Sequence, residues 1–552
     1  MGEKFEKQLS LFDYIDRIEE VTSDKNTSCE SAGLSNDIII KLENYNLETY
    51  INDVETIGLE NTWNYICQFV LKQPSNLPEL IRIDNFSKLY EIGLAVEDKF
   101  KKKRCGQYST PDDVALVMAE WLEQCEGDIV CDVACGTGKL ILTFLELIGY
   151  EKARELISGG KLYLYDLDGI ALRICRTAIA VKYGLDIVNH IHCVFADFLD
   201  KSIHLPYNCK VICNPPYAKI ECIQDYWEKS NVLLDAKELY SAFMEKIFTQ
   251  AKSTVIITPF SFVSGTKYYA LREIMCEKGN GFIVSFDNVP GNIFNGKKQG
   301  IFNSNTSNSV RAAITVMQQD ENKKGYKVSP LIRFKNEERE RLLLAKTLEK
   351  TLPQNYQIIT KKNTSFKKID KSLEIIFQSW TENSKYKVKD MISENESDFL
   401  IDIPNTCRYY TTASSKKLNR VGAITINIRD EEMFRFLYCF VNSSFAYWWW
   451  RIFDGGITYS KNLFINMPIP FNLLTDDDKQ FFGSLSKKMI EHEDDFIITK
   501  RNAGTIQQNI KFPESYRLEI NNRILKILGI DSEGNVFDAV HANNFFNTKE
   551  KK

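Results

Sequence analysis

Between about Cys105 and Met317 the chain repeats one pattern: a short β-branched or apolar run, then an amphipathic stretch, then another run. The runs are Ile129–Val133, Leu162–Tyr165, His192–Phe195, Val211–Cys213, Val255–Thr258, Phe282–Phe286 and Val310–Met317. A strand separated from the next by a helix cannot fold back as a hairpin, so successive strands are joined by crossovers and lie parallel. The pattern predicts an α/β domain around a mostly parallel sheet. Its flanks read differently. Residues 1–100 carry helix-like apolar spacing (Leu11, Ile15 and Ile18, then Ile38 through Val70) around a polar break at Thr22–Asn36, and predict an acidic helical extension. After Asp320 the segment Glu321-Asn-Lys-Lys-Gly-Tyr-Lys327 reads as a linker, and residues 321–552 as a separate mixed domain without internal repeats. A chain of 552 residues exceeds one ordinary core, in keeping with a domain over 101–320 and a second over 321–552.

Composition narrows the function classes. The amino terminus, MGEKFEKQLS, lacks the basic start and apolar core of a signal peptide, and no apolar run approaches the ~20 residues that span a bilayer. A cytoplasmic protein with no membrane role is expected. The 14 cysteines are scattered with no C-x-x-C pair and predict free buried thiols, while five histidines without paired Cys/His spacing predict no metal site. Net charge is −4, but residues 1–100 hold 9 Lys+Arg against 19 Asp+Glu, leaving 61 against 55 for the rest. The acidity lies at the front, which leaves room for a basic cleft further on.

The first chemical signal is Ile129-Val-Cys-Asp-Val-Ala-Cys-Gly-Thr-Gly-Lys-Leu140, a strand ending in an acid that turns through two glycines into a helix. Glycines let the backbone approach a ligand, and ligands of doubly wound sheets sit beyond the strands' carboxyl ends. The turn is shorter than the phosphate-binding patterns, and Ile141 stands where their third glycine would be, so a cofactor without phosphates fits better. The next strand ends in Asp166, suited to ribose hydroxyls, while Asp132 suits the neighbourhood of a cationic amino group. A helix cap or turn aspartate is the plainer reading of each, and Asp168 reads as such a cap. A third strand ends in Ala196-Asp197-Phe198-Leu199, where a carboxylate can take an adenine amino group and a ring can stack on the base.

The next strand runs into Asn214-Pro-Pro-Tyr217. Pro215 and Pro216 stiffen the turn and remove backbone donors, leaving the Asn214 and Pro215 carbonyls open to an incoming group. An adenine amino group that donates to the Asn214 side-chain oxygen and the Pro215 carbonyl has its lone pair drawn out of conjugation and aimed at a methyl donor, with Tyr217 stacked on the base. Positioning and electrostatics carry such a reaction without a general base at the outset.

With these motifs the chain resembles the gamma-class N6-adenine DNA methyltransferases of bacterial restriction-modification systems, closely over residues 104–318 and loosely beyond. The resemblance implies a Rossmann-like S-adenosylmethionine-dependent methyltransferase sheet, with S-adenosyl-L-methionine as cofactor and double-stranded DNA as partner. It implies that Tyr108, Thr110 and Pro111 of Gly106-Gln-Tyr-Ser-Thr-Pro111 line the methionine side of the cofactor. Asp132, Ala134, Gly136 and Gly138 form the cofactor loop, Asp166 binds the ribose, and Asp197 with Phe198 contacts the adenine. Asn214, Pro215, Pro216 and Tyr217 form the catalytic turn. The family also places an aromatic ring on the other face of the flipped base. Phe294 in Asn292-Ile-Phe-Asn-Gly-Lys297 is the candidate, with Phe302 a rival because the polar stretch Gln299–Ser309 intervenes before the next strand.

A base inside a duplex must be flipped out to reach such a pocket, so the family assigns residues 321–552 to target recognition. Cys407–Arg420 mixes cations, aromatics and hydroxyls as a DNA-facing surface or a solvated loop would. Tyr447-Trp-Trp-Trp-Arg451 reads mainly as packing, and Gly455–Lys461 as a flexible polar loop. Three other readings stand beside a self-sufficient DNA enzyme: a modification subunit that depends on a specificity subunit, an RNA methyltransferase, and a protein-glutamine methyltransferase. A cognate restriction endonuclease is a candidate partner, no nuclease motif is evident in the first hundred residues, and monomer and dimer are equally open.

Overall fold

The strand runs read from the sequence form β1 (Ile129–Asp132), β2 (Leu162–Asp166), β3 (His192–Phe195), β4 (Cys209–Cys213), β5 (Ser253–Pro259), β6 (Gly279–Phe286) and β7 (Ala312–Gln319), followed by β8 (Gly325–Ile332). This computed structural model describes residues 45–541 apart from 76, 98–109, 221–229, 295–309, 362–363, 408–409, 457 and 503–504. The eight strands make one sheet in the order β3-β2-β1-β4-β5-β7-β6-β8. β1 to β5 pair in parallel, and β7 runs antiparallel to β5 and to β6. The mostly parallel α/β sheet is therefore present, with an antiparallel insertion that alternation alone does not disclose.

β8 replaces part of the expected linker. The Asp320 carboxylate accepts the Asn322 and Lys323 amides at 2.8 and 3.0 Å, closing a tight turn. Gly325, at φ +96°, then swings the chain into β8, where Tyr326 and Val328 are buried. The lysines belong to a turn between two strands.

The chain divides into two units: Met1–Phe262, Lys267–Tyr326 and Arg339–Glu349 form the first, and Val263–Thr266, Lys327–Glu338 and Lys350–Lys552 the second. In the first, the helices Leu47–Ile57, Leu59–Lys72 and Phe86–Glu97 share an apolar core with Ala171, Ile174 and Ala178 of the helix Gly169–Tyr183. Trp63, Ile66 and Val70 give the helix Leu59–Lys72 its buried stripe at i, i+3, i+7 spacing. Leu11, Ile15, Ile18 and the polar break lie outside the described residues. Asp168 is the N-cap of Gly169–Tyr183, accepting the Ile170 and Ala171 amides at 3.0 and 3.1 Å, and it also accepts the Tyr90 hydroxyl.

The second unit has its own core, dominated by aromatics. Trp448, Trp449 and Trp450 are all buried, as packing requires. Three successive helical positions can all be inside because the short helix Ser444–Phe453 is surrounded, and the Trp449 and Trp450 ring N–H groups reach the Leu463 and Thr458 carbonyls at 3.1 and 3.4 Å. Each such ring removes ~150–250 Å² from water, an upper bound of about 4–6 kcal/mol.

The segment Cys407–Arg420 is largely packed. Cys407, Thr411, Ala413 and Ser414 are buried, and Glu493 accepts from the Ser415 amide and hydroxyl and the Tyr438 hydroxyl at 3.0, 2.8 and 3.0 Å. Arg420 pairs with the buried Asp402 at 2.8 Å, and Lys416 pairs with Asp494. Among the described residues of this stretch, the Ser414 and Ser415 hydroxyls and the Arg420 guanidinium are engaged by buried carboxylates, while Lys416 and Lys417 stay at the surface. In the Gly455–Lys461 segment, Tyr459 is fully buried with its hydroxyl on the Ala446 carbonyl at 3.2 Å, so that loop is anchored as well. We expect Arg420→Ala to destabilise the second unit by about 3–5 kcal/mol, since it strands the Asp402 carboxylate in the core. Urea unfolding followed by tryptophan fluorescence reads the loss, and a midpoint equal to that of the parent would contradict it.

Candidate active site

β1 is hydrogen-bonded to β2 on one side and β4 on the other, all parallel, so their carboxyl ends open on one edge of the sheet. Asp132 closes β1, Asp166 closes β2, Asp197 follows β3 by two residues and Asn214 follows β4 directly. Register sets their depth. Asp132 lies opposite Leu164 and Ile212, so Asp166 and Asn214 each lie two residues further out, roughly 6.6 Å along the strand direction. Asp132 is therefore at the bottom, 1% exposed, with the other two above it. The reversal of strand order between β1 and β4 makes this edge the switch point of a doubly wound sheet.

Asp132 has one oxygen 3.4 Å from the Ala134 amide, while Oδ2 is buried with no hydrogen-bond partner. Burial pushes its carboxyl up from the ordinary range to about 8, and the nearby Asp166 adds to the shift. A buried carboxylate oxygen without a donor is costly unless a cation or a donor reaches it.

Asp166 is engaged from two sides: Oδ1 accepts the Asp168 amide at 2.8 Å and Oδ2 the Gly136 amide at 2.7 Å. It ties the glycine turn to β2. Burial raises its pKa against these bonds. Gly136 has φ +50° and open space where a side chain would stand, whereas Gly138, at φ +95°, has no room: a Cβ there would meet the Cys175 sulfur at 2.6 Å. The first glycine leaves a cradle beside the loop, and the second allows the helix Lys139–Ile148 to pack.

Asp197 Oδ1 accepts the Leu199 amide at 2.9 Å. The Phe198 ring is 3% exposed and packs against Tyr165 and Phe243, with the Lys246 ammonium 4.8 Å from its centre. Lys246, itself buried, donates to the Phe198 and Asp200 carbonyls at 2.6 and 2.9 Å and so holds this loop; burial lowers its pKa to about 8. The exposed apolar surface at this end belongs to Leu167 and Phe195, 69% and 68% exposed. Sequence reasoning passed over both. The available signal was an apolar residue directly after the strand-ending Asp166, where a turn would ordinarily be polar.

Past β4, the Asn214 side chain is fixed at both ends. Its amide nitrogen donates to Thr110 Oγ1 at 2.9 Å, and its oxygen accepts the Tyr217 hydroxyl at 2.8 Å. The Tyr217 hydroxyl also approaches the Ile257 carbonyl at 3.2 Å, tying the turn to β5. Pro215 is buried, and Pro216 and Tyr217 are half-buried. Phe294 meets Tyr217 edge to face at 5.9 Å and 66°. Of the two aromatic candidates Phe294 is thus beside the turn, while Phe302 lies outside the described residues, as does Tyr108. Thr110 is 5% exposed and Pro111 starts the helix Asp112–Glu123. The contact of Thr110 with Asn214 gives it a part that the sequence did not suggest. Among the described residues no group of three or more His, Cys, Asp or Glu could hold a metal ion, and no helix is long and apolar enough to cross a membrane.

The family model described as N-6 DNA Methylase matches residues 81–408. The methylase subunit of the type I restriction enzyme MpnII from Mycoplasma pneumoniae is 29% identical over 28% of this chain, and the match spans only 29% of that relative's own length. Among solved structures, the DrdV–DNA complex matches 64% of this chain and 40% of its own at 15% identity and a TM-score of 0.43. The M protein of the type I restriction enzyme EcoKI matches 51% and 67%, at 15% identity and a TM-score of 0.30.

The state of Asp132 makes a pH prediction. With its folded pKa raised to about 8, the native protein keeps a proton that the unfolded chain has released, so this group's contribution to stability falls as pH rises from about 4 to about 8 and then levels off. In Asp132→Asn that fall disappears. Thermal unfolding without added ligand should show the variant gaining on the parent between pH 5 and pH 8; a constant difference would mean that the carboxyl is ionised in the native protein.

Proposed function

The chain belongs to the N-6 DNA methylase family, and from that membership and the site geometry we propose that it methylates N6 of an adenine flipped out of double-stranded DNA, using S-adenosyl-L-methionine. The observation that carries the proposal is the clamped Asn214 amide. With Thr110 taking its nitrogen end, the amide oxygen is turned toward Tyr217, an acceptor fixed in place where a substrate amino group would donate. A donor arriving there also meets the Pro215 carbonyl, and two acceptors pull the amino lone pair out of the ring plane. Tyr217 and Phe294, which meet edge to face beside the turn, offer rings on which an extruded base could pack.

The residues present fit the cofactor. The unpartnered Asp132 oxygen suits a cationic centre or an amino donor, and the open space at Gly136 suits a close backbone approach. Asp166 has lone pairs left for hydroxyls after its two amide bonds, and Asp197 has its second oxygen for an adenine amino group. Ala134, Gly138, Pro111 and the backbone around Phe198 complete the wall, with Tyr108 assigned by family resemblance. Leu167 adds an apolar surface for the flat base. When bound, the cofactor supplies an electrophilic methyl group. Asn214 and Pro215 orient the amino nitrogen, and its proton leaves to solvent after transfer, so no buried base is needed.

A second reading is favoured by two observations. The Mycoplasma relative is a methylase subunit, and Arg420, Ser414 and Ser415 of the Cys407–Arg420 stretch are engaged by carboxylates within the second unit. On this reading the chain modifies DNA only with a partner specificity subunit, and a cognate restriction endonuclease completes the system.

The deciding experiment incubates the purified chain with labelled S-adenosylmethionine and mixed-sequence duplex DNA and identifies the modified nucleoside. N6-methyladenine is expected. Cofactor binding without any DNA product would shift the weight to the subunit reading, and label on RNA or protein would overturn the proposal. Asn214→Ala should abolish transfer while cofactor affinity survives. Asp166→Ala should weaken cofactor binding about tenfold to a hundredfold, the loss of a charge-assisted hydrogen bond. An unchanged affinity by calorimetry would remove Asp166 from the cofactor site.

A further inference from the structure

Arg339 opens the short helix Arg339–Leu342, more than two hundred residues beyond the helix Asp112–Glu123, yet its side chain is only 2% exposed and inside the first unit. Among the described residues its side-chain hydrogen bonds go to two remote segments. Nε and Nη2 grip the Asp113 carboxylate in a fork, at 2.6 and 2.9 Å. Nη1 donates to the Asn292 carbonyl at 2.9 Å and Nη2 to the Ile293 carbonyl at 2.8 Å. Asp113 lies three residues after Thr110, which accepts from the Asn214 amide, and Ile293 immediately precedes Phe294, the ring that meets Tyr217. One planar cation thus sets the spacing between the segment that orients the amide and the segment that carries the opposing ring.

We propose that Arg339 is a positioning residue for methyl transfer, holding Phe294 in register with Asn214 through its bonds to Asn292, Ile293 and Asp113; this deepens the function proposed above and rests on it. A guanidinium is required because the task needs two parallel donors to a carboxylate and further donors to two carbonyls in one plane. Lysine keeps the charge but cannot span both segments. The anchor is also local in its effect: the Val114 amide bonds to Asp113 Oδ1 at 2.9 Å and the Phe294 amide to Asn292 Oδ1 at 2.9 Å, so both amides report on the groups that Arg339 holds.

The test uses the full chain with R339K, F294A and the double variant, measuring methyl incorporation into unmethylated genomic DNA and hydrogen–deuterium exchange. R339K is expected to lower kcat at least about tenfold with KM for S-adenosylmethionine within about threefold, and the double variant to fall within about twofold of F294A, since residues acting as a unit are not additive. Exchange should rise over residues 288–294 and 112–116 and stay unchanged in β1, β2 and β4. Additive losses in the double variant, or unaltered exchange at 288–294, would overturn the inference. If the parent chain methylates no DNA, the function reading fails on its own account, and the exchange pattern still decides whether Arg339 sets the Phe294 segment. Should R339K fail to fold, Asp113→Asn weakens the same fork and is expected to shift both readouts in the same direction by a smaller amount.

Discussion

In a parallel ladder every strand delivers its carboxyl end to the same edge, and β1, bonded to β2 on one side and β4 on the other, is the strand through which that edge is assembled. The Asp132–Leu164 and Asp132–Ile212 pairings decide which side chains are deep and which are shallow. A slip of one residue would turn Asp132 to the opposite face of the sheet and carry the glycine turn with it. The apolar residues of β1 and β4 and the helices covering them hold this register, so the polar groups at the edge depend on a core that none of them belongs to.

Around that edge most polar groups are satisfied by backbone. Asp166 takes two amides, Asp168 caps a helix and accepts Tyr90, and Lys246 holds two carbonyls. Asp132 differs from these three, with a buried oxygen lacking any donor among the described residues. The contrast separates two uses of a carboxylate. Those that build the frame have their partners in the chain, and the one at its floor has an oxygen without a donor among the described residues. Such sites are held against their own desolvation by the surrounding fold.

Much of this was legible in the sequence because it depends on local pattern. Strand runs, the glycine turn, the Asp168 cap and the Asn-Pro-Pro-Tyr turn each require particular residues at short spacing. What the sequence withheld depends on long-range pairing. The antiparallel course of β7 and the existence of β8 follow from where strands meet, and the charged turn at Asp320 looks like a linker when read alone. Cys407–Arg420 looks solvent-facing because its hydroxyls and cations are polar; only the arrival of Asp402 and Glu493 draws Arg420, Ser414 and Ser415 inward. Arg339 was invisible for the same reason, as nothing near it in sequence hints at Asp113 or Asn292. The exposed Leu167 and the buried Phe198 ring show the limit in the other direction, since residue type alone does not say which apolar side chain stays at the surface.

The insertion of β7 between β5 and β6 has a consequence for how the protein is made. β5 and β6 emerge from the ribosome before the strand that must lie between them, and each bears an unpaired edge until β7 follows. At a few to twenty residues per second, the interval from β5 to the end of β7 is on the order of ten seconds, long compared with the closure of local contacts. In the parallel half β1 likewise keeps one edge open until β4 follows, but that half is complete once β5 has emerged. The nascent chain therefore passes through a stage in which the cofactor edge is already formed while two apolar strand edges are open, the stage at which a chaperone would find the most to bind.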